Sequence, residues 1–161
     1  MKRGIIWIFL CLTCCLGYAD DTTPAGPEAF VRQAVQSLVD GGNAIPFPVA
    51  DTVVALDNGE VLSRADFQKA WPQFAKEAFK RKVTVDQFFK GAELKIGSPL
   101  ENKRLMGNKR VLESYTYQDG DLYIDASQVK AGAENVIDYD KAFIYLIRQI
   151  GGQWTLVGVG G

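Results

Sequence analysis

The sequence predicts an α+β fold in which N-terminal helices pack on a curved antiparallel β-sheet. Helical periodicity is confined to the first half of the chain and strand-like runs fill the second half, whereas a βαβ protein would alternate the two. The chain closes on a predicted hairpin, residues 142–150 and 153–159 around Gly151-Gly152. Its first strand is apolar on both faces, which places it at the centre of the sheet.

The first half of the chain supplies two helices. Apolar residues recur at helical spacing over residues 28–39 and again over 63–80. Pro72 interrupts the second helix, which predicts a kink or a fresh start there. The remaining predictions are strands at 52–56 and 60–63 around Asn58-Gly59, a helical turn or strand at 84–91, strands at 93–97, 103–106, 109–117 and 122–127, and a long loop at 128–139.

A cleaved export signal is expected at the N-terminus. Lys2-Arg3 precedes an apolar run over residues 5–16, and small residues fit a cleavage site after Ala19. A spanning helix needs about twenty apolar residues, so an uncleaved anchor is the lesser alternative and the mature chain has no predicted transmembrane span. Cys15 approaches a lipid-attachment box, which leaves a lipoprotein as a second alternative. The expected layout is a signal peptide over 1–19, a flexible leader over 20–27 and one domain over 28–161, in a periplasmic or secreted protein.

Composition excludes several classes of chemistry. All three cysteines lie within the expected signal peptide and histidine is absent, which excludes His-based zinc sites and Ser-His-Asp or Cys-His nucleophilic systems. Loss of Lys2 and Arg3 leaves 16 basic against 19 acidic residues, a net charge of −3 that is unfavourable for nucleic-acid binding. No phosphate-binding loop or dinucleotide fingerprint occurs. We therefore expect no cofactor, no metal and no nucleic-acid partner.

The order of elements resembles a known superfamily. A helix, the stretch at residues 51–67, a second helix, long strands and a closing Gly-x-Trp-x-Leu-Val-Gly-Val resemble the nuclear transport factor 2-like, or cystatin-like, superfamily over residues 28–159. The resemblance implies a curved sheet wrapped around helices to make a conical pocket. Members include isomerases, dehydratases, epoxide hydrolases, polyketide cyclase-like enzymes and many non-enzymatic domains, so the resemblance implies a fold and no particular activity.

Glu113, Tyr115 and Tyr117 are the first candidates for acid–base chemistry. On a strand over residues 109–117 they share one face, where an apolar setting would raise the pKa of the carboxyl and a phenol would stabilise an oxyanion. Asp125 on the next strand is a fourth candidate. The alternative, half-buried packing, is the more frequent role of such tyrosines. Two functions stay open: a binding or interaction domain without catalysis, and a cofactor-independent lyase, isomerase or hydrolase.

Aromatic side chains are the candidates for ligand binding. Trp71 and Phe74 lie on the second predicted helix and Phe88 on the segment predicted as a helical turn or a strand. Together with Tyr115 and Tyr117 they are expected to line a pocket for a small apolar or amphipathic ligand. Aromatic residues at helical spacing more often belong to the core, and that alternative stays open. The other partner that the resemblance allows is a second copy of the chain, paired through the sheet face.

Export is expected to remove the leader between Ala19 and Asp20. N-terminal sequencing of the exported protein checks this expectation. A mature chain that begins at a lipid-modified Cys15 would contradict it and indicate a membrane anchor.

Overall fold

The computed structural model describes residues 24–79, 82–129 and 143–160, so the expected signal peptide and most of the loop predicted over 128–139 lie outside it. Among the described residues, no helix combines the length and the apolar character that crossing a membrane requires. The elements are α1 (Pro27–Val39), β1 (Val49–Ala55), β2 (Val61–Ser63), α2 (Arg64–Ala78), α3 (Val85–Gly91), β3 (Ala92–Gly97), a 3₁₀ turn (Pro99–Glu101), α4 (Lys103–Gly107), α5 (Lys109–Ser114), β4 (Leu122–Val129), β5 (Ile144–Ile150) and β6 (Gln153–Gly160).

The strands form one curved, open sheet in the order β2-β1-β6-β5-β4-β3. Helices α1, α2 and α3 pack against one face of this sheet, which we call the helix side, and the predicted α+β class is confirmed. Four of the neighbouring strand pairs are antiparallel, whereas β1 runs parallel to β6. The parallel pair arises because the β5–β6 hairpin turns the last strand back alongside β1 in the same direction.

Strand β5 lies inside the sheet and is buried on both faces, as its sequence predicts. Tyr145 and Ile147 belong to the core on the helix side. Ile144 and Leu146 belong to a second core on the opposite side, which we call the outer face. Because successive side chains of a strand point to opposite faces, one strand contributes to both cores.

Turn and cap signals place most elements where the sequence predicts them. Gly59 closes the β1–β2 turn with φ of 76°, in the left-handed region that favours glycine. The Ser63 side chain accepts a hydrogen bond from the Asp66 amide at the start of α2. Helix α2 then continues through Pro72 as one element to Ala78, without a fresh start. The segment predicted as a helical turn or a strand at 84–91 forms α3, which Thr84 begins with a capping box.

The space between the helices and the sheet is filled by aromatic side chains. Trp71 is 1% exposed, and its indole Nε1 donates to the Ser37 hydroxyl at 2.8 Å. The Ser37 hydroxyl in turn donates to the Ala44 carbonyl, so this buried polar chain joins α2, α1 and the segment after α1. The buried aromatic residues of this core are Phe30, Phe47, Phe67, Trp71, Phe88, Phe143 and Tyr145.

The strands predicted at 103–106 and 109–117 are wrong, because the chain forms α4 and α5 there. The Asn102 side chain accepts hydrogen bonds from the amides of Arg104 and Leu105, and the Asn108 side chain accepts one from the Val111 amide. Each asparagine satisfies amide groups that a short helix leaves unpaired at its start. The expected period-two alternation of side chains over 109–117 is therefore absent.

Replacing Trp71 with alanine is expected to cost about 3–5 kcal/mol of unfolding free energy, because a fully buried aromatic side chain is lost together with its hydrogen bond. Trp154→Ala is expected to cost less, between about 1 and 3 kcal/mol, because Trp154 is only partly buried against the same core. Denaturant unfolding of both variants provides the test. Equal losses would contradict the ranking, and a loss below about 1 kcal/mol for Trp154 would place that side chain effectively at the surface.

Candidate functional site

Helices α4 and α5 cover part of the outer face of the sheet. Leu105 of α4 and Val111 of α5 are buried against Leu146 and Val157 of the central strands. Together with the 3₁₀ turn, these helices form a run of short turns, each starting at a side-chain cap. A run of this kind presents side chains in many directions, and it buries only some of its apolar residues.

The turn between β1 and β2 holds α4 and α5 in place. The Asn108 Nδ2 donates to the Leu56 carbonyl at 3.1 Å, and the Arg104 guanidinium lies 3.3 Å from the Asp57 carboxylate. A Cβ atom at Gly59 would lie 2.6 Å from the carbonyl carbon of Arg110, so α5 packs directly on the backbone of this turn. The position therefore requires glycine both for its φ angle and for the close approach of α5.

An apolar cavity of about 120 Å³ opens between these turns and the sheet, and we call it the outer-face pocket. Three large apolar side chains around it are exposed: Leu100 by 54%, Met106 by 39% and Leu112 by 42%. Apolar side chains are usually exposed singly, and three around one apolar cavity mark a surface suited to binding. The pocket is lined by Pro99, Leu100, Leu105, Met106, Val111, Leu112, Tyr115, Tyr117 and Leu146.

A repeat explains this geometry and is the signal that sequence reasoning missed. Residues 102–106 read Asn-Lys-Arg-Leu-Met, and residues 108–112 read Asn-Lys-Arg-Val-Leu. In both copies the asparagine caps the helix, the fourth residue is buried and the fifth is exposed at the pocket. The repeat therefore builds the same short turn twice and gives the pocket one exposed apolar side chain from each copy.

A buried ion pair lies behind the pocket. Asp121 is 1% exposed, and the Arg148 guanidinium binds it through two contacts, Nε to Oδ1 at 2.7 Å and Nη2 to Oδ2 at 2.8 Å. The hydroxyl of Tyr115 and the amide of Gln118 also donate to Oδ2 of Asp121. Arg148 Nη2 donates further to the Thr116 carbonyl at 2.9 Å. The pair thus ties the segment between α5 and β4 to strand β5.

Electrostatic interactions hold the cluster of Tyr115, Asp121 and Arg148 in one protonation state at neutral pH. Burial of Tyr115 raises the pKa of its phenol well above the ordinary value, and the hydrogen bond and negative charge of Asp121 act in the same direction. Burial by itself would raise the pKa of Asp121, but the hydrogen bonds from Arg148, Tyr115 and the Gln118 amide outweigh it and hold this pKa below the usual range. At neutral pH the cluster therefore contains a neutral phenol, a carboxylate and a guanidinium.

The residues predicted as site candidates fall in different places. Tyr115 and Tyr117 both line the outer-face pocket, and the Tyr117 hydroxyl lies 3.4 Å from the Ser98 hydroxyl. Glu113 is exposed on α5 and is not among the lining residues. Asp125 is half-buried on β4, where its Oδ1 accepts hydrogen bonds from the amide and the hydroxyl of Ser127. The structure therefore brings together two of the four residues considered for acid–base chemistry, without a carboxylate among the pocket-lining residues.

The aromatic candidates on the helices lie on the helix side. Trp71 and Phe74 stack with ring centroids 5.3 Å apart and line a second small cavity of about 140 Å³ between α2 and the sheet. Phe88 is fully buried in the core beside Phe79 and Phe143. The five residues expected to share one ligand pocket are thus divided between two cavities and the core.

Comparisons with protein-family models, curated proteins and solved structures found no match to this chain. Within the part of the chain that the structure describes, no three residues among histidine, cysteine, aspartate and glutamate lie close enough together to hold a metal ion.

Replacing Asp121 with asparagine is expected to cost about 3 kcal/mol of unfolding free energy, the low end for a buried ion pair, because the partly buried Arg148 guanidinium loses its counter-charge. Since the folded-state pKa of Asp121 is lowered, its contribution to stability is complete above the unfolded-state pKa of about 4 and is lost as the pH falls through the folded-state value. Unfolding free energies of the wild type and the variant should therefore converge as the pH falls below the unfolded-state pKa of about 4 and through the lower folded-state value.

The matched control for this measurement is Asp119→Asn. Asp119 is exposed two residues before Asp121, and its replacement is expected to change stability by less than about 0.5 kcal/mol. A difference between the wild type and Asp121→Asn that stays constant over the whole pH range would show that the charge of Asp121 does not carry the stabilisation.

Proposed function

We propose that the chain is an exported protein-interaction domain without catalytic activity, and that the outer-face pocket receives an apolar side chain from a partner protein. The observation that carries this proposal is the apolar cavity surrounded by exposed Leu100, Met106 and Leu112. Interface hot spots have this form, since an apolar or aromatic anchor fills a desolvated pocket and the neighbouring contacts exclude water.

The size of the pocket favours a protein partner over a small ligand. Sites for drug-sized ligands usually enclose about 300–1,000 Å³, whereas the outer-face pocket encloses about 120 Å³. That volume suits one branched aliphatic side chain. Two larger clefts, of about 440 Å³ beside Asp51 and Arg64 and of about 500 Å³ between the ends of α1 and α2 beside Phe79, are more open to solvent, so an apolar anchor in them would be less completely desolvated.

The alternative of a cofactor-independent lyase, isomerase or hydrolase receives less support. The general base considered for that chemistry is a carboxylate, and it must be free to take a proton beside the substrate. Tyr115 is the pocket residue nearest to such chemistry, but its hydroxyl donates to Asp121, whose two oxygens are already engaged by Arg148 and the Gln118 amide. The aromatic filling between the helices and the sheet also favours a binding role over a reactive cavity.

Membership of the nuclear transport factor 2-like superfamily is part of the proposal. Three helices on one face of a curved six-stranded sheet support it, because the resemblance implies helices enclosed by a curved sheet. In this chain α4 and α5 cover part of the outer face. A homodimer through the sheet face would therefore have to accommodate the exposed residues of α4 and α5, and a second copy of the chain is one partner that the test below has to consider.

Peptide selection tests the proposed interaction. Peptides selected from a random library on the purified protein are expected to share one large apolar residue, and Leu112→Glu should weaken their binding at least about tenfold, since charge at a hot spot is poorly tolerated. Val61→Glu is the matched control, because Val61 is 49% exposed on the edge strand β2 and lines none of the cavities described above. It should leave the affinity unchanged.

Two results would count against the proposal, and a third would identify the partner. Peptides that bind Leu112→Glu as tightly as the wild type would place the interaction elsewhere. A small apolar compound that occupies the pocket when no peptide does would favour the small-ligand alternative. A concentration-dependent dimer that Leu112→Glu abolishes, measured by native mass spectrometry, would identify the partner as a second copy of the chain.

A further inference from the structure

One side chain in the wall of the outer-face pocket, that of Tyr115, is held in place by groups that lie outside the pocket. Tyr115 follows the last residue of α5, where the chain leaves regular structure until β4 begins at Leu122. The Tyr115 amide donates to the Val111 carbonyl at 2.7 Å and so fixes the backbone at the end of α5, but the ring extends beyond the helix and its placement depends on side-chain contacts. The order of the pocket wall therefore depends on contacts made by Tyr115 and its neighbours.

Those contacts converge on one buried carboxylate. The Tyr115 hydroxyl and the Gln118 amide both donate to Asp121, and Arg148 donates to Asp121 and to the Thr116 carbonyl. The guanidinium carbon of Arg148 also lies 5.8 Å from the centre of the Tyr115 ring. None of the described polar contacts of Asp121 reaches into the pocket, so this carboxylate acts on the pocket only through the tyrosine and the chain beside it.

We infer that Asp121 and Arg148 are positioning residues for the outer-face pocket, and that they hold the ring of Tyr115 in the place where it forms one wall. This inference rests on the proposed function and adds how the shape of the pocket is maintained. An ion pair that the partner does not touch forms the pocket before the partner binds. A pocket that exists before binding spares the partner the cost of ordering the wall, so loss of the hydroxyl contact weakens binding without removing any apolar surface.

Tyr115→Phe isolates this effect because it keeps the ring and removes only the hydroxyl that Asp121 holds. The probe is isopentanol, whose branched end matches a leucine side chain, and its dissociation constant is read from methyl NMR shifts of Leu105, Val111 and Leu146 during titration. The control is Tyr123→Phe. Tyr123 is 1% exposed in the same outer-face core but is not among the pocket-lining residues.

The variant Tyr115→Phe is expected to bind isopentanol about fivefold or more weakly than the wild type, and Tyr123→Phe is expected to bind it as the wild type does. Nuclear Overhauser effects between the ring at position 115 and the Leu146 methyl groups should weaken in Tyr115→Phe while thermal melts show that the variant stays folded. A general loss of stability would leave those ring contacts intact in the folded fraction.

The outcomes separate the two proposals. Isopentanol binding by Tyr115→Phe at the affinity of the wild type would overturn the positioning role and leave the proposed function standing. Equal weakening in Tyr115→Phe and Tyr123→Phe would also overturn it, since the effect would then come from general loosening of the core. Failure of isopentanol to shift any pocket methyl group of the wild type would overturn both the positioning role and the use of this pocket for an apolar anchor.

Discussion

Burial of strand β5 on both of its faces is the constraint on which the rest of the structure depends. Tyr145 and Ile147 need a cover on the helix side, and Ile144 and Leu146 need one on the outer face. At about 25 cal/mol for each Å² of apolar surface, exposure of either set would remove several kcal/mol from a domain whose total stability is of order 5–15 kcal/mol. The two covers differ greatly in size. Helices α1, α2 and α3 form the first, and within the described part of the chain the short α4 and α5, with the 3₁₀ turn, form the second.

The small size of the outer cover accounts for the candidate site. Two helices of fewer than seven residues each bury one central apolar side chain, Leu105 or Val111, and leave the next, Met106 or Leu112, at the surface. A longer amphipathic helix would bury a continuous apolar stripe and close the cavity. The repeated Asn-Lys-Arg turns instead stop at Gly107 and Ser114, so the gap between them and the sheet stays open as the outer-face pocket.

Local signals explain which elements the sequence predicts and which it does not. Helix α1, the β1–β2 turn and the β5–β6 hairpin follow from apolar spacing and from Gly59, Gly151 and Gly152, all of which act within a few residues. Over residues 103–114 the apolar residues come in adjacent pairs between charged residues, a pattern that has neither the helical period of about 3.6 nor the strand period of two. The strand prediction there leaves out the helix-capping role of Asn102 and Asn108. The site depends on the same segment, and the strand face predicted to carry Glu113 does not exist because Glu113 lies on α5.

The ion pair behind the pocket was beyond sequence reasoning for a different reason. Asp121 and Arg148 lie 27 residues apart, and only the pairing of β4 with β5 brings them together. Energetically, a well-packed apolar pair would stabilise such a position as well or better, because two charges must be desolvated. An apolar pair, however, would leave the Thr116 carbonyl and the Gln118 amide without the partners that they now have in Arg148 and Asp121. The ion pair therefore fixes the irregular segment between α5 and β4. Because the Tyr115 ring is held by the same pair, the pair also fixes one wall of the pocket.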